Sequence, residues 1–174
     1  MTLPNALTAL RGAAAVPVAV LIALGALDAA LAVFVAACAT DALDGFLARR
    51  GHTETELGAA LDPLADKMLV VGALAALALR AMAPVALVVA ILVRELVAVE
   101  RRARAGRSLP ASTDGKLKTV LQMAAVIALL AARLWPSAEL IAAAEALIVA
   151  AAALTALSGL RLLVRARKTT AHAA

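Results

Sequence analysis

Aromatic residues are nearly missing: the 174-residue chain has no tyrosine, one tryptophan (Trp135) and two phenylalanines (Phe34 and Phe46). Any interfacial aromatic belt is therefore thin, and basic residues are left to set orientation in a bilayer. Cys38 is the single cysteine, which excludes an internal disulfide, and its place in an apolar run reads as a buried structural thiol. Charge is scarce as well, at 17% of residues, and with a mean hydropathy of +0.96 this excludes a disordered chain. No internal period is present, so collagen and repeat arrays are excluded. The N-terminal MTLPNALTALR lacks a basic stretch leading into a cleavable apolar segment, and no signal peptide is expected.

What fills the chain is apolar. Hydrophobic residues make up 64% of it, against roughly 45–50% in soluble domains. Apolar runs fall at about residues 13–27, 29–47, 57–79, 84–99, 117–134 and 140–163. A membrane-spanning helix takes about 20 residues, so the reading is an all-α integral membrane protein, a bundle of six transmembrane helices. Breaks at Gly25–Asp28, Arg49–Glu56, Ala81–Ala83, Arg101–Lys116 and Trp135–Ser137 separate the runs, and no domain boundary is visible within 1–174. Alanine dominates the runs and lets helix backbones approach closely in lipid.

With six spans both termini share a side, and that side carries every lysine and arginine except Arg80 and Arg133, 15 of 17. The positive-inside rule makes it cytoplasmic, in the cell's inner or cytoplasmic membrane. The net charge of +5 and a pI near 10.3 fit anionic membrane lipids rather than nucleic acid, since the bases lie between apolar runs. Arg161, Arg165, Arg167 and Lys168 form a basic collar at the end of the last run, and Arg101, Arg102, Arg104 and Arg107 a second cluster.

Four acids stand where lipid opposes them. Asp41 and Asp44 lie near the end of the second run and Asp62 and Asp66 near the start of the third, each at a cost of ~2.5–3.5 kcal/mol even on the lenient insertion scale. Spacings of three and four residues put each pair on one helical face. A short connection makes the two helices antiparallel neighbours, so both pairs converge just inside the membrane. Such carboxylates repel unless they bind cations, and hard oxygen donors without histidine or cysteine favour Mg²⁺ or Mn²⁺. Two ions, about 3.5–4 Å apart, would balance four aspartates and clamp a phosphoryl group for in-line displacement. Gly45 and Gly58 bare the same faces for a bulky ligand, and Arg49 stands one turn beyond Gly45 to hold a phosphate oxygen.

Asp41, Asp44, Gly45, Ala48 and Arg49, then eight residues, Gly58, Asp62 and Asp66, resemble without departure the signature of the CDP-alcohol phosphotransferases. The resemblance implies six transmembrane helices, a homodimer, a cytosol-facing dinuclear metal site and attack of an alcohol on a CDP-linked substrate with release of CMP. Carried over by position, Asp41, Asp44 and Asp62 ligate metal, and Asp66 is a further ligand or the general base. Gly45, Ala48, Arg49 and Gly58 line the cytidine and diphosphate pocket. Asn5, Thr8 and Arg11 resemble the short amphipathic N-terminal segment of the phosphatidylglycerophosphate and cardiolipin synthase branch, which adds Asn5 and Thr8 to that pocket; Leu61–Lys67 resembles the same branch.

Arg94-Glu95, Gly115-Lys116-Leu117-Lys118-Thr119 and Gln122 are more similar to the phosphatidylglycerophosphate synthases. The implied substrates are CDP-diacylglycerol and glycerol 3-phosphate, with Arg94, Lys116 and Lys118 on the acceptor phosphate. Phosphatidylglycerol, giving cardiolipin, and inositol phosphate are the alternative acceptors. A cation transporter is the rival of a different class, but transporters often carry broken helices in both halves, and here the acids are confined to one hairpin.

The structural alternative for the aspartates is ion pairing with Arg49, Lys67 and Arg94, which leaves the glycines unexplained. Lys67 fits either an ion pair with an aspartate or snorkelling. Arg94 and Glu95 also fit a structural pair, and His52, Glu54 and Glu56 a solvated loop.

Overall fold

The computed structural model describes the backbone of residues 3–51, 56–105 and 113–171, and the side chains of residues 12–40, 67–100 and 117–159. Its described secondary structure is entirely helical: α1 (Leu3–Leu24), α2 (Leu27–Gly51), α3 (Glu56–Leu79), α4 (Val85–Ala105), α5 (Thr113–Leu134) and α6 (Ala138–Ala171). Alanine and leucine, among the strongest helix formers, make up more than half of α1, α3 and α6 and over a third of α2, α4 and α5. The six helices follow the six apolar runs but outrun them in places: α2 continues to Gly51 and α5 begins at Thr113. The N-terminal segment expected ahead of the first span is continuous with it in α1; α4 runs on through Arg101, Arg102 and Arg104; and α6 continues past Leu163 to Ala171.

Two of the turns are built alike. At the end of α1, Gly25 adopts φ +82° while its N–H donates to the Ile22 carbonyl and that of Ala26 to Leu21, the paired bonds of a Schellman cap. Ala81 takes the equivalent position after α3 at φ 52°, with Ala81 N–H on Ala78 and Met82 N–H on Leu77. The two caps touch, because Arg80 Nη1 donates to the Ala23 carbonyl at 3.1 Å, satisfying one of the free acceptors at the α1 terminus. At the start of α6 the Ser137 hydroxyl accepts the Leu140 N–H at 3.2 Å, an N-cap.

Helix order follows from these contacts. Gly72 of α3 lies against Ala15 of α1, where an added Cβ would be 3.6 Å from the Ala15 carbonyl oxygen. Arg80 meets Ala23, and both pairs are 57 residues apart in sequence, so α1 and α3 run parallel in a fixed register. The tight turn at Gly25 reverses α2 against α1. Hence α2 and α3 are antiparallel, and their acid-bearing ends both lie on the side where α1 begins. α5 packs on α6 and α2, and α4 on α6 and α3.

Phe34, Ile22, Leu74, Leu77, Leu130 and Ile148 are among the large side chains buried between the helices. The outside is apolar too: Val85, Val89, Val93 and Leu96 form one exposed stripe down α4, and Val16, Val20, Val149 and Leu157 are exposed on α1 and α6. Helices apolar on both faces suit a lipid surround. Among the described residues, Leu117–Leu134 and Ala138–Gly159 are long and apolar enough to cross a membrane, and Gly12–Leu24, Leu27–Thr40 and Lys67–Leu79 are shorter apolar stretches.

Candidate active site

The expected acidic residues lie on helices. Asp41, Asp44, Gly45, Ala48 and Arg49 belong to α2, and Gly58, Asp62 and Asp66 to α3. At 1.5 Å per residue, Asp44 stands about 10 Å from the Gly51 end of α2 and Asp62 about 9 Å from the Glu56 start of α3; Asp41 and Asp66 are each about 15 Å in. Each pair therefore lies within about 15 Å of the end of its helix, and the two helices run antiparallel. The side chains of these residues, and of Lys116 in the first turn of α5, lie outside the described ones.

Immediately after Asp66 the side chains are described, and they form an ionic cluster at one depth. Glu95, 3% exposed on α4, gathers three cations from three helices. Lys67 Nζ of α3 is 3.1 Å from its Oε2, and Arg94 Nη1 of α4 is 3.0 Å from its Oε1. Lys118 Nζ of α5 donates to the same Oε1. The Lys67 contact is an ion pair without a directed hydrogen bond, so Oε2 keeps open acceptor capacity among the described residues. Among the described side chains, three cations face this one carboxylate, an excess of two positive charges inside the bundle, where unpaired charge is costly.

Beside the cluster, Gln122 of α5 donates to the Thr155 hydroxyl of α6 at 3.1 Å, and that hydroxyl donates to the Ala151 carbonyl at 2.6 Å. This closes the polar groups that lipid could not satisfy. Ser158 likewise donates to the Thr155 carbonyl. Gly159 lies under the Arg94 stem, with an added Cβ 3.2 Å from Cγ.

Two expected acceptor residues, Arg94 and Lys118, are thus brought together, and Lys67 joins them. Lys67 pairs with Glu95, a partner the sequence reading did not consider, and Arg94 and Glu95 do form a pair. Glu95 is not among the site residues expected from the sequence. The signal for it was present: the penalty that singles out the aspartates applies equally to a glutamate in the fourth apolar run. Cys38, expected to be buried, is partly buried and packs against the core.

The family model for CDP-alcohol phosphatidyltransferase matches residues 1–166. A probable phosphatidylglycerophosphate synthase of Mycobacterium tuberculosis is 48% identical over 56% of this chain and 47% of its own length. Two proteins named CDP-diacylglycerol–glycerol-3-phosphate 3-phosphatidyltransferase are also similar. That of Arabidopsis thaliana is 35% identical over 76% of this chain and 66% of its own length, and that of Pseudomonas fluorescens 38% over 75% and 73%. The match thus spans about half of the Mycobacterium relative's length. With a family match across nearly all of its residues, an apolar exterior and helices that can cross a bilayer, the chain is a membrane protein that belongs to the CDP-alcohol phosphatidyltransferase family.

Proposed function

We propose that the chain transfers the phosphatidyl group of CDP-diacylglycerol to glycerol 3-phosphate, giving phosphatidylglycerophosphate and CMP. The observation that carries this reading is the cationic cluster directly after Asp66. A phosphorylated acceptor needs positive charge beside the reacting centre, and Lys67, Arg94 and Lys118 supply an excess of two charges there. The names of the relatives point to the same acceptor.

The donor set fits divalent metal. It consists of four carboxylates near the ends of two antiparallel helices, and two of the bases that could neutralise them, Lys67 and Arg94, are engaged by Glu95. Asp41, Asp44, Asp62 and Asp66 would hold two ions, Mg²⁺ or Mn²⁺, which when bound neutralise the diphosphate and polarise the phosphorus. Gly45, Ala48, Arg49 and Gly58, with Asn5 and Thr8 of α1, line the cytidine and diphosphate pocket. Arg94, Lys116 and Lys118 bind the acceptor phosphate and orient its free primary hydroxyl. Asp66 takes the proton from that hydroxyl as its oxygen bonds to the β-phosphorus. The bond from that phosphorus to the bridging oxygen breaks, and CMP leaves with the electron pair.

All six helices have 21 to 34 residues and in this reading all six span the membrane as one domain. Both termini and the acids face the cytoplasm, and the protein is a homodimer. The test is CMP release and lipid product from purified protein given CDP-diacylglycerol and, in turn, glycerol 3-phosphate, phosphatidylglycerol and inositol phosphate. Turnover with glycerol 3-phosphate, abolished by EDTA and restored by Mg²⁺ or Mn²⁺, is the expected result. Product only with phosphatidylglycerol, or full activity after exhaustive chelation, would overturn it.

A further inference from the structure

Glu95 does more than neutralise a neighbour. Each of its three partners comes from a different helix, and each is largely withdrawn from solvent, with side-chain exposures of 16% for Lys67, 16% for Arg94 and 5% for Lys118. Without a central anion three such cations repel and splay apart. Among the described side chains, the carboxylate holds them together yet leaves them in excess by two charges. It also leaves them partly free: Lys67 lacks a directed hydrogen bond to Oε2, and Arg94 Nε is buried with no hydrogen-bond partner among the described residues. Because Arg94 Nη1 is committed to Oε1, the open Nε edge of the guanidinium is the one that matches a pair of phosphate oxygens. The stem reaches this pose by lying on Gly159, whose missing Cβ would stand 3.2 Å from Arg94 Cγ and 3.9 Å from Nε.

We infer that Glu95 is a positioning residue that presets Lys67, Arg94 and Lys118 as a cradle for a phosphomonoester dianion, with Gly159 supplying the clearance that turns the Arg94 fork toward it. The inference rests on the transferase reading and deepens it by assigning acceptor choice to charge. Two surplus positive charges match the two negative charges of a phosphomonoester, whereas a phosphodiester acceptor brings one and a plain alcohol none. Glu95 touches neither substrate in this account and acts only through its three partners.

The experiment compares KM for glycerol 3-phosphate with KM for CDP-diacylglycerol in wild type, Glu95→Gln, Glu95→Asp and Gly159→Ala. Glu95→Gln keeps the shape and removes the anchor. Its acceptor KM should rise by about tenfold or more while donor KM stays within about twofold, and Glu95→Asp should recover part of the loss. Gly159→Ala, which displaces Arg94 by a few tenths of an ångström, should raise acceptor KM alone and keeps the test decisive if Glu95→Gln does not fold.

An unchanged or lowered acceptor KM in Glu95→Gln overturns the positioning role while leaving the transferase reading intact, since in the latter case raw positive charge suffices. A rise in donor KM instead assigns the cradle to the nucleotide's diphosphate and overturns the inference as well. If wild type releases no CMP with glycerol 3-phosphate, the transferase reading itself falls, and the wild-type control alone reveals it.

Discussion

Replacing Lys118 by methionine isolates one charge of the cluster. Lys118 is 4% exposed, and methionine fills nearly the same space with an equally flexible stem, so packing changes little. Glu95 keeps Arg94 at 3.0 Å and Lys67 at 3.1 Å, which holds the stability loss below the ~3–5 kcal/mol of a buried charge stripped of its partner. The surplus falls from two charges to one. A charge-assisted contact to the acceptor phosphate is worth ~1.5–3 kcal/mol, so kcat/KM for glycerol 3-phosphate should drop by about ten- to 150-fold. CMP release is measured across an acceptor titration with CDP-diacylglycerol saturating, then across a donor titration. The donor parameters should stay within about twofold. Acceptor kinetics unmoved by Lys118→Met, or equal losses on both substrates, would refute the assignment of this lysine to the acceptor.

Asp66→Asn keeps the side chain's shape and removes its basicity; turnover should fall by ~10²–10⁴-fold with CDP-diacylglycerol binding largely kept, and single-turnover CMP release checks it. At the α1–α3 contact, Gly72→Ala should be tolerated, because its Cβ would meet Ala15 at 3.6 and 3.8 Å. Gly72→Leu overpacks the same contact and should cost ~1–3 kcal/mol, read as a lower melting temperature in detergent.

The sequence resolves the helices and the acids for different reasons. Gly25 and the proline-bearing turns interrupt apolar runs so sharply that the helix breaks fall where hydropathy does. At Arg101 and after Leu163 hydropathy stops and the helix does not, since arginine and lysine are good helix formers and water receives their charges. The aspartates are legible because their spacing sets them on one face. Glu95 is harder to read: the adjacent Arg94 offers it a partner of opposite charge, and nothing local points to any other helix. Only the tertiary fold brings Lys67 and Lys118 to it, from positions 28 residues before and 23 after. Likewise nothing local marks Gly159 as the floor beneath Arg94.

The constant offset between α1 and α3 has a mechanical consequence. Arg80 on Ala23 fixes one end of the pair, and the close approach of Gly72 to Ala15 grips its middle. Sliding by a single residue is a displacement of 1.5 Å, enough to carry the arginine from its carbonyl and to bring bulkier neighbours over Gly72. Bilayer thinning or lateral pressure therefore tilts the two helices as one rod. Pro17, which has no N–H to give the turn before it, stands inside the gripped stretch, so α3 braces α1 at the point where its own hydrogen-bond ladder is interrupted.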